Sequence, residues 1–215
     1  MLKRAFTLIE LLVVVSIIAL LIGILTPAMG KARLQAKIVV VNAELRDIGL
    51  ALETYSYGND DQYPPTRVDC AAGDHFYQLP VELVEGKYLP RANQDTYMSA
   101  GIHDRFNRGY TYKYMSVGTM IYNRTTTIKE GASLWIPDGF PNCSDENEQG
   151  KYYYSLDDSP VSWVLYSLGP NFELHSMKKL HYPVPKQTWY DSQTNSGVIV
   201  RMRLRNGQQT GSFER

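Results

Sequence analysis

The segment from Phe6 to Leu25 constrains the fold most, because it holds a single charge, Glu10, among almost unbroken leucine, isoleucine and valine. A helix of about 20 residues is about 30 Å long, which matches the hydrocarbon core of a bilayer. The rest of the chain is polar, and the whole sequence has 16 tyrosines against 6 phenylalanines. We therefore predict a membrane helix over residues 6–28, attached to a water-soluble domain.

Residues 1–5 form a short basic leader, Met-Leu-Lys-Arg-Ala, that ends in the small residue Ala5. An ordinary secretory signal has a shorter apolar region, and its small-residue cleavage site follows that region. Here the small residue comes before the apolar segment. Processing between Ala5 and Phe6 would therefore remove only the leader and leave the membrane helix on the mature protein.

The stretch KRAFTLIELLVVVSIIALLIGILTPA resembles the class III signal of type IV pilins and type II secretion pseudopilins. The resemblance implies that a membrane-embedded prepilin peptidase cuts before Phe6 and that the new amino group is N-methylated. Phe6 and Glu10 match the first and fifth mature positions of the motif, and Pro27 matches a helix-weakening proline. Ala5 departs from the usual glycine, but it is small enough for a tight protease subsite.

The same resemblance implies where the protein acts and with what. We expect a single-pass inner-membrane protein with a cytoplasmic amino terminus and a periplasmic head, assembled into a periplasmic pseudopilus. Its partners would be further copies of itself, other pseudopilins, the prepilin peptidase and an inner-membrane assembly platform. An adhesive or DNA-uptake type IV pilin shares this amino terminus and is the alternative within the filament class.

Glu10 carries the strongest physical argument. A carboxylate within a membrane helix costs roughly 2.5–3.5 kcal/mol on insertion scales, so it usually has a partner and a role. In the pilin-like reading, that partner is the Phe6 ammonium of an adjacent subunit, and the desolvated pair sets the axial register. Alternatively, Glu10 is protonated or reaches the cytoplasmic interface. The intact motif around it favours assembly.

Beyond the membrane segment, residues 29–58 are predicted to continue the helix as an amphipathic stalk. Pro27 removes one backbone hydrogen bond, so it either kinks the helix or ends it at the membrane. An apolar stripe at steps of three and four argues for continuation. Its members are Leu34, Ile38, Val41, Leu45, Ile48, Leu52 and Tyr55. The helix should end at Tyr57, with Gly58 in the left-handed conformation. A short two-chain coiled coil is the competing interpretation of the stripe.

Residues 59–215 are predicted to form a globular head. A short helix is expected within Leu79–Leu89, ending at Gly86, and strand-like runs rich in tyrosine, valine and threonine follow it. These runs are Tyr110–Val117, Gly118–Tyr122, Tyr152–Leu156, Trp163–Leu168 and Val198–Leu204. A small antiparallel sheet packed on the helical stripe gives an α+β fold of the pilin type.

Two carboxy-terminal segments, Ser167–Asn171 and Tyr190–Arg201, resemble the signature of the type II secretion major pseudopilin. That resemblance favours the secretion branch and implies a loop stabilised by calcium. The match is partial, because Asn171 and Val198 stand where acidic residues are common. Asp191 and Asn171 are therefore weak calcium candidates, since calcium prefers several carboxylates. An ordinary polar hairpin is the favoured interpretation, and no other cofactor is expected.

The two cysteines, Cys70 and Cys143, match no metal spacing. In an exported domain they could form one disulfide, and two unpaired thiols are the equal alternative.

Composition and motifs exclude several functions. Lysine plus arginine and aspartate plus glutamate both number 22, and no basic run is present, so we expect no nucleic-acid partner. The four histidines are scattered, and no HExxH, GxSxG, P-loop or GxGxxG motif occurs. Trp135, Trp163 and Trp189 could line a carbohydrate site, which makes a membrane-anchored glycan-binding domain the alternative from another class. We expect a structural subunit of a type II secretion pseudopilus that drives export across the outer membrane, and not an enzyme.

Overall fold

The computed structural model describes residues 7–70, 75–92, 100–143 and 149–212. In chain order its elements are α1 (Leu8–Tyr57), β1 (Thr66–Asp69), β2 (His75–Phe76), α2 (Val81–Glu85), β3 (Lys113–Ser116), β4 (Gly118–Tyr122), β5 (Thr126–Ala132), β6 (Leu134–Pro137), β7 (Gly150–Tyr153), β8 (Val161–Ser167), α3 (Leu174–Lys179), a 3-10 turn (Lys186–Thr188), β9 (Ile199–Leu204) and β10 (Gln209–Gly211). The chain divides into two compact units, Met1–Val39 and Val40–Arg215. The first unit contains the beginning of α1, and the second contains the rest of α1 with every other element.

A central sheet of four strands, in the order β10-β9-β8-β3, forms the core of the second unit. Its neighbouring strands all pair antiparallel. The seven residues of β8 are all buried, because β9 and β3 flank this strand and both faces of the sheet are covered. Successive side chains of a strand point to opposite faces, so β8 contributes to two separate cores.

The carboxy-terminal part of α1 packs on one face of the central sheet. Val41, Leu45, Ile48 and Leu52 are completely buried along this part of the helix, which confirms the predicted stripe there. Gly49 allows a close approach, because a Cβ atom at this position would lie 3.1 Å from the Trp163 ring.

A second apolar cluster covers the opposite face of the central sheet. Its members come from β8, from β9 and the residue before it, from the β6–β7 hairpin, from the link between β3 and β4, and from the connection before the 3-10 turn. They are Val117, Leu134, Ile136, Phe140, Val161, Val164, Tyr166, Val184, Val198, Val200, Met202 and Leu204. β8 is buried on both faces because a different layer covers each face of the central sheet. α1 covers one face, and the β6–β7 hairpin with the neighbouring loops covers the other.

Two smaller sheets complete the head. The first has the order β2-β1-β4-β5, and the second is the β6–β7 hairpin. The β1 and β4 strands pair parallel, whereas the other described strand pairs are antiparallel, as predicted for the head. The long connection through α2 and β3 accounts for the parallel pair, because parallel neighbours need a crossover. The α+β class and the pilin-like architecture are confirmed.

The helix boundaries follow the sequence signals except at one residue. α1 ends at Tyr57, and α2 ends before Gly86, whose N–H donates to the Glu82 carbonyl at 2.9 Å. Gly58 was predicted to adopt the left-handed conformation, which was wrong. Asp60 and Asp61 adopt it instead, with φ of 52° and 58°. Aspartate tolerates this region because its short side chain can bond locally.

Candidate assembly site

Most of the first unit exposes an apolar surface. Every side chain from Thr7 to Arg33 is exposed, and this range includes residues 7–28 of the segment that was predicted to lie in lipid. Within the described residues α1 is long and apolar enough, by length and composition, to cross a membrane. Burying this surface needs an apolar surrounding, which a bilayer or the matching helices of other subunits would supply.

Glu10 forms a capping box with Thr7 at the start of α1. The Glu10 Oε2 atom accepts hydrogen bonds from the Thr7 backbone N–H at 2.8 Å and from its hydroxyl at 2.7 Å. In return, the Glu10 N–H donates to Thr7 Oγ1 at 3.3 Å. The arrangement satisfies two amide donors that a helix start leaves open. Sequence reasoning missed Thr7, although the spacing Thr-x-x-Glu is the usual signal for this motif.

Pro27 lies inside α1, and the helix continues through it to Tyr57. The possibility that this proline ends the helix is therefore excluded. Proline has no N–H to donate, so the Gly23 carbonyl lacks its usual helical donor. The neighbouring Thr26 hydroxyl donates to the Ile22 carbonyl at 2.8 Å. The stretch from Gly23 to Gly30 thus combines a missing bond with two residues of low helix propensity.

Ala5 and Phe6, the residues predicted to flank the cleavage site, lie outside the described residues.

In the second unit Glu53 joins α1 to the central sheet. Its Oε1 atom accepts a hydrogen bond from Trp163 Nε1 at 3.0 Å, and its Oε2 atom pairs with Arg203 Nε at 3.0 Å. The Tyr63 hydroxyl donates to the same Oε2 atom at 3.2 Å. Because Trp163 is completely buried, its indole N–H depends on this carboxylate.

Glu44 makes a second junction nine residues earlier in α1. It accepts hydrogen bonds from the Tyr112 hydroxyl and from the Arg105 guanidinium, which also forms an ion pair with it. Burial raises the pKa of Tyr112 well above its usual value, and the bond to Glu44 raises it further. Tyr112 is therefore a neutral donor to the Glu44 carboxylate over the whole physiological pH range.

The two carboxy-terminal segments singled out in the sequence meet in the structure. Gly169, at φ +69°, lies so close to Gly197 that a Cβ atom there would be 1.9 Å from the Gly197 carbonyl oxygen. The Asn171 Nδ2 atom donates to the Asn195 carbonyl at 3.1 Å, and the Ser196 hydroxyl donates to the Asn171 carbonyl at 3.1 Å. The crossing therefore requires glycine at position 169, and Gly197 is required for another reason, because a Cβ atom there would lie 2.5 Å from the Trp189 carbonyl oxygen.

Asp104 holds the segment Ser167–Asn171 in place through hydrogen bonds. Its carboxyl group accepts hydrogen bonds from the Ser167 hydroxyl at 2.7 Å, the Leu168 N–H at 3.2 Å and the Phe106 N–H at 2.9 Å. Its side chain is almost completely buried. Burial raises the pKa of Asp104 above its ordinary value, although these donors act in the opposite direction. No sequence motif marks this residue.

The residues at this loop do not fit the calcium site that the resemblance implies. Asp191 Oδ1 accepts the Gln193 N–H at 2.9 Å, and Oδ2 accepts both the N–H and the hydroxyl of Thr194. Asn171 turns its Nδ2 atom to the Asn195 carbonyl, so only its Oδ1 atom could ligate a cation. No group of three or more histidine, cysteine or acidic side chains suited to a metal occurs in the described part of the chain. Calcium prefers six to eight oxygens with several carboxylates.

Cys70 and Cys143 are both free thiols, so the structure does not contain the disulfide that the sequence allowed. Cys70 follows β1, is exposed, and donates its N–H to the Asn123 side chain at 2.9 Å. Cys143 follows β6 and packs against the second apolar cluster. They thus belong to different sheets of the head.

The three tryptophans do not form one carbohydrate platform. Trp163 is buried under α1, and Trp189 donates its indole N–H to the Pro183 carbonyl at 2.9 Å. Trp135 alone lies along an open groove, where it stacks on His181.

Comparisons with known proteins agree with the amino-terminal features. Residues 1–26 match the model of the prokaryotic N-terminal methylation motif. The chain is 31% identical over 136 residues to the type II secretion system core protein G of Pseudomonas aeruginosa, a match that covers 61% of this chain and 89% of that protein. About two fifths of the chain thus has no counterpart in that match. No solved structure matches it significantly.

Proposed function

Because this chain belongs to the family of the type II secretion system core protein G, we propose that it is a structural subunit of a pseudopilus. It assembles through α1 into a helical filament and thereby drives protein export across the outer membrane. The match to a secretion protein, together with the carboxy-terminal segments, favours this function over that of an adhesive or DNA-uptake pilin.

The observation that carries the proposal is the amino-terminal unit. Its side chains from Thr7 to Arg33 are all exposed, and the one charge between Thr7 and Gly30 is the carboxylate of Glu10 near the start of the helix. Such a surface suits two successive environments. It dissolves in lipid before assembly, and it packs against the same surface of neighbouring subunits afterwards.

The division of the chain follows from this function. We propose residues 1–5 as the leader that prepilin peptidase removes, 6–28 as the membrane and assembly helix, 29–58 as the stalk and 59–215 as the head. The basic leader favours a cytoplasmic amino terminus, and the head then lies in the periplasm. Other pseudopilins and an inner-membrane assembly platform are the proposed partners.

We further propose that Glu10 pairs with the methylated Phe6 ammonium of a neighbouring subunit. The capping box supports this role, because Thr7 engages the Oε2 atom and leaves Oε1 without a hydrogen bond to the described residues. Thr7 thereby fixes the rotamer of the carboxylate before assembly. A fixed carboxylate loses less side-chain entropy when it binds an ammonium group.

The test separates the charge of Glu10 from its capping role. Glu10→Leu should insert into the membrane and be processed, since a costly carboxylate has gone, but it should not form filaments or support secretion. Glu10→Gln keeps an oxygen acceptor for Thr7 but has no charge, so it should also fail. Glu10→Asp should be partly defective, because the charge remains and the reach is shorter.

Thr7→Val is the matched control. It removes the capping partner and costs about 0.5–2 kcal/mol of helix stability while the charge of Glu10 remains. It should still assemble. Membrane fractionation and a filament or secretion assay are performed on the same strains. Normal filaments from Glu10→Gln together with failure of Thr7→Val would show that capping, and not the ion pair, is what assembly requires.

A further inference from the structure

A groove of ≈ 730 Å³ opens on the head, on the face of the central sheet opposite α1. Eight of its lining residues are phenylalanine, tyrosine or tryptophan. Seven of its lining residues, among them Met115 and Tyr166, belong to or pack against the second apolar cluster, which places the groove on that face. A volume of this size and a lining of mostly apolar and aromatic side chains are typical of a binding site.

The lining of this groove is also biased in charge. Lys113, Lys178 and His181 line it, and none of the described lining residues is acidic. The Lys113 Nζ atom donates to the Phe76 carbonyl at 2.8 Å and lies 5.2 Å from the centre of the Tyr110 ring. Since the whole chain has a formal net charge of zero, this concentration of basic groups favours an occupant with negative charge.

The rim of the groove exposes apolar area. The exposed fractions of Tyr152, Leu174 and Phe76 are 51%, 47% and 36%. His181 stacks on Trp135 with ring centres 4.6 Å apart and planes at 14°, and its Nδ1 atom is 3.3 Å from the Tyr152 hydroxyl. The rim is therefore held in shape by these ring contacts, and it offers aromatic faces to an occupant. Exposed apolar patches of this kind mark interaction surfaces.

The chain itself exposes a segment of complementary chemistry, the turn Tyr57–Asp61. Tyr57 is 93% exposed at the end of α1, and Asp60 and Asp61 follow it on an exposed turn. Backbone bonds hold the turn, with the Asp61 N–H donating to the Ser56 carbonyl at 3.1 Å and the Gln62 N–H to the Asn59 carbonyl at 2.9 Å. One aromatic ring and two carboxylates thus project together from a defined backbone.

The turn and the groove are different surfaces, because none of the residues that line the groove belongs to the turn. Lys113 of the groove follows Tyr112, whose hydroxyl bonds to Glu44, whereas the turn begins at Tyr57, about 20 Å further along the helix. A contact from the turn of one copy to the groove of the next uses two different surfaces. Such a contact does not close on itself in a pair, and it can repeat along a filament.

We propose that the groove receives the Tyr57–Asp61 turn of a second copy of this chain. The Tyr57 ring packs among the aromatic side chains, and the two carboxylates face the exposed Lys178. This contact rests on the proposed filament for bringing the copies together, and it adds a connection between heads to the packing of the helices. The contact assigns a role to the groove, which has no role in a filament held together by α1 alone.

The test uses disulfide crosslinking of the full chain in its secretion host. Both natural cysteines are replaced by Cys70→Ser and Cys143→Ser. Two differently tagged copies are then expressed together, one with Asp60→Cys and the other with Lys178→Cys. Mild oxidation should give a crosslinked dimer that carries both tags. The matched control replaces Asp60→Cys by Asp158→Cys, another aspartate on an exposed turn, and should give no dimer.

Filaments sheared from the same cells are recorded by electron microscopy, which separates the two proposals. Filaments without the dimer would overturn the contact between heads and leave the pseudopilus proposal intact. Absence of both filaments and dimer would overturn both. A crosslink from Lys178→Cys to another polypeptide, in place of the copy with Asp60→Cys, would show that a different partner occupies the groove and would likewise overturn the contact.

A charge exchange gives a second measurement. Lys178→Glu should lower the yield of filaments roughly two- to fivefold, as expected for one exposed ion pair per contact. Adding Asp60→Lys to the same chain should restore the yield. Loss of yield in the double variant to the same level as in Lys178→Glu would contradict the pairing.

Discussion

Glu53 offers a quantitative test of how the head holds α1. In Glu53→Ala, the indole N–H of Trp163 loses its acceptor at a completely buried position. An unsatisfied buried donor costs about 1–3 kcal/mol. The lost ion pair with Arg203 adds less than about 1 kcal/mol, because both side chains are more than a quarter exposed. We therefore expect a loss of about 1–4 kcal/mol, which lowers Tm by roughly 2–16 °C in a chain of this size.

The assay is thermal unfolding of the full chain in detergent, followed by tryptophan fluorescence. Glu53→Gln keeps an oxygen acceptor for Trp163 and should recover more than half of the lost Tm. Asp47→Ala, on an exposed part of the same helix, is the control and should shift Tm by less than about 2 °C, as is usual for surface substitutions. The reasoning is refuted if Glu53→Ala behaves like Asp47→Ala, or if Glu53→Gln is as damaging as Glu53→Ala.

Three further predictions concern processing, calcium and pH. Ala5→Lys should block maturation, because a long cation does not fit a small subsite. The natural chain should begin at methylated Phe6 in an intact-mass measurement. Recovery of unprocessed natural chains from cells with a prepilin peptidase would contradict the predicted cleavage. Excess calcium or excess chelator should shift Tm by less than about 1 °C, whereas a site filled at 100 times its Kd would add about 2.7 kcal/mol. Burial raises the pKa of Asp104, so its contribution to stability is complete below pH ~4 and is lost as pH rises through the folded-state pKa. The Tm of the natural chain should therefore fall relative to that of Asp104→Asn between pH 4 and pH 7, and parallel curves would contradict this assignment.

The parts of the fold that the sequence predicts are those with a clear period or a strong terminator. The stripe through Leu45 and Leu52 has the spacing of a helix that is buried on one side, and α1 buries those residues. α2 ends before Gly86 as expected. The runs that were predicted as strands contain β3, β4 and β9, and they overlap β7 and β8, because alternating apolar and aromatic residues suit a sheet.

The elements that the sequence did not reveal are short or polar. β5 is mostly exposed and contains lysine, glutamate and glycine, so it has no apolar period. β1 and β2 have four and two residues, and the parallel pairing of β1 with β4 depends on the course of a long connection. Local propensity carries no information about which distant strands become neighbours.

The contacts described for the candidate site also divide into those that are local in sequence and those that form only in the folded chain. Thr7 and Glu10 are three residues apart, so their capping box could have been read from the sequence. Asp104 and Ser167 are 63 residues apart and meet through tertiary packing, and Glu53 and Trp163 are 110 residues apart. The family resemblance identified the segments around Asn171 and Asp191. It did not predict that the Asn171 Nδ2 atom bonds to the Asn195 carbonyl, a contact that is seen only in the structure and does not favour calcium.

The two junctions at Glu44 and Glu53 have a mechanical consequence. They are nine residues apart on α1, which is about 13 Å along the axis, and both connect the helix to the same head. A machine that pulls this subunit out of the membrane would apply force along that axis. The two junctions and the buried side chains between them would then be strained together in shear, whereas a head held at one end would peel away one contact at a time. The head is therefore fastened in the way that best withstands traction along the helix.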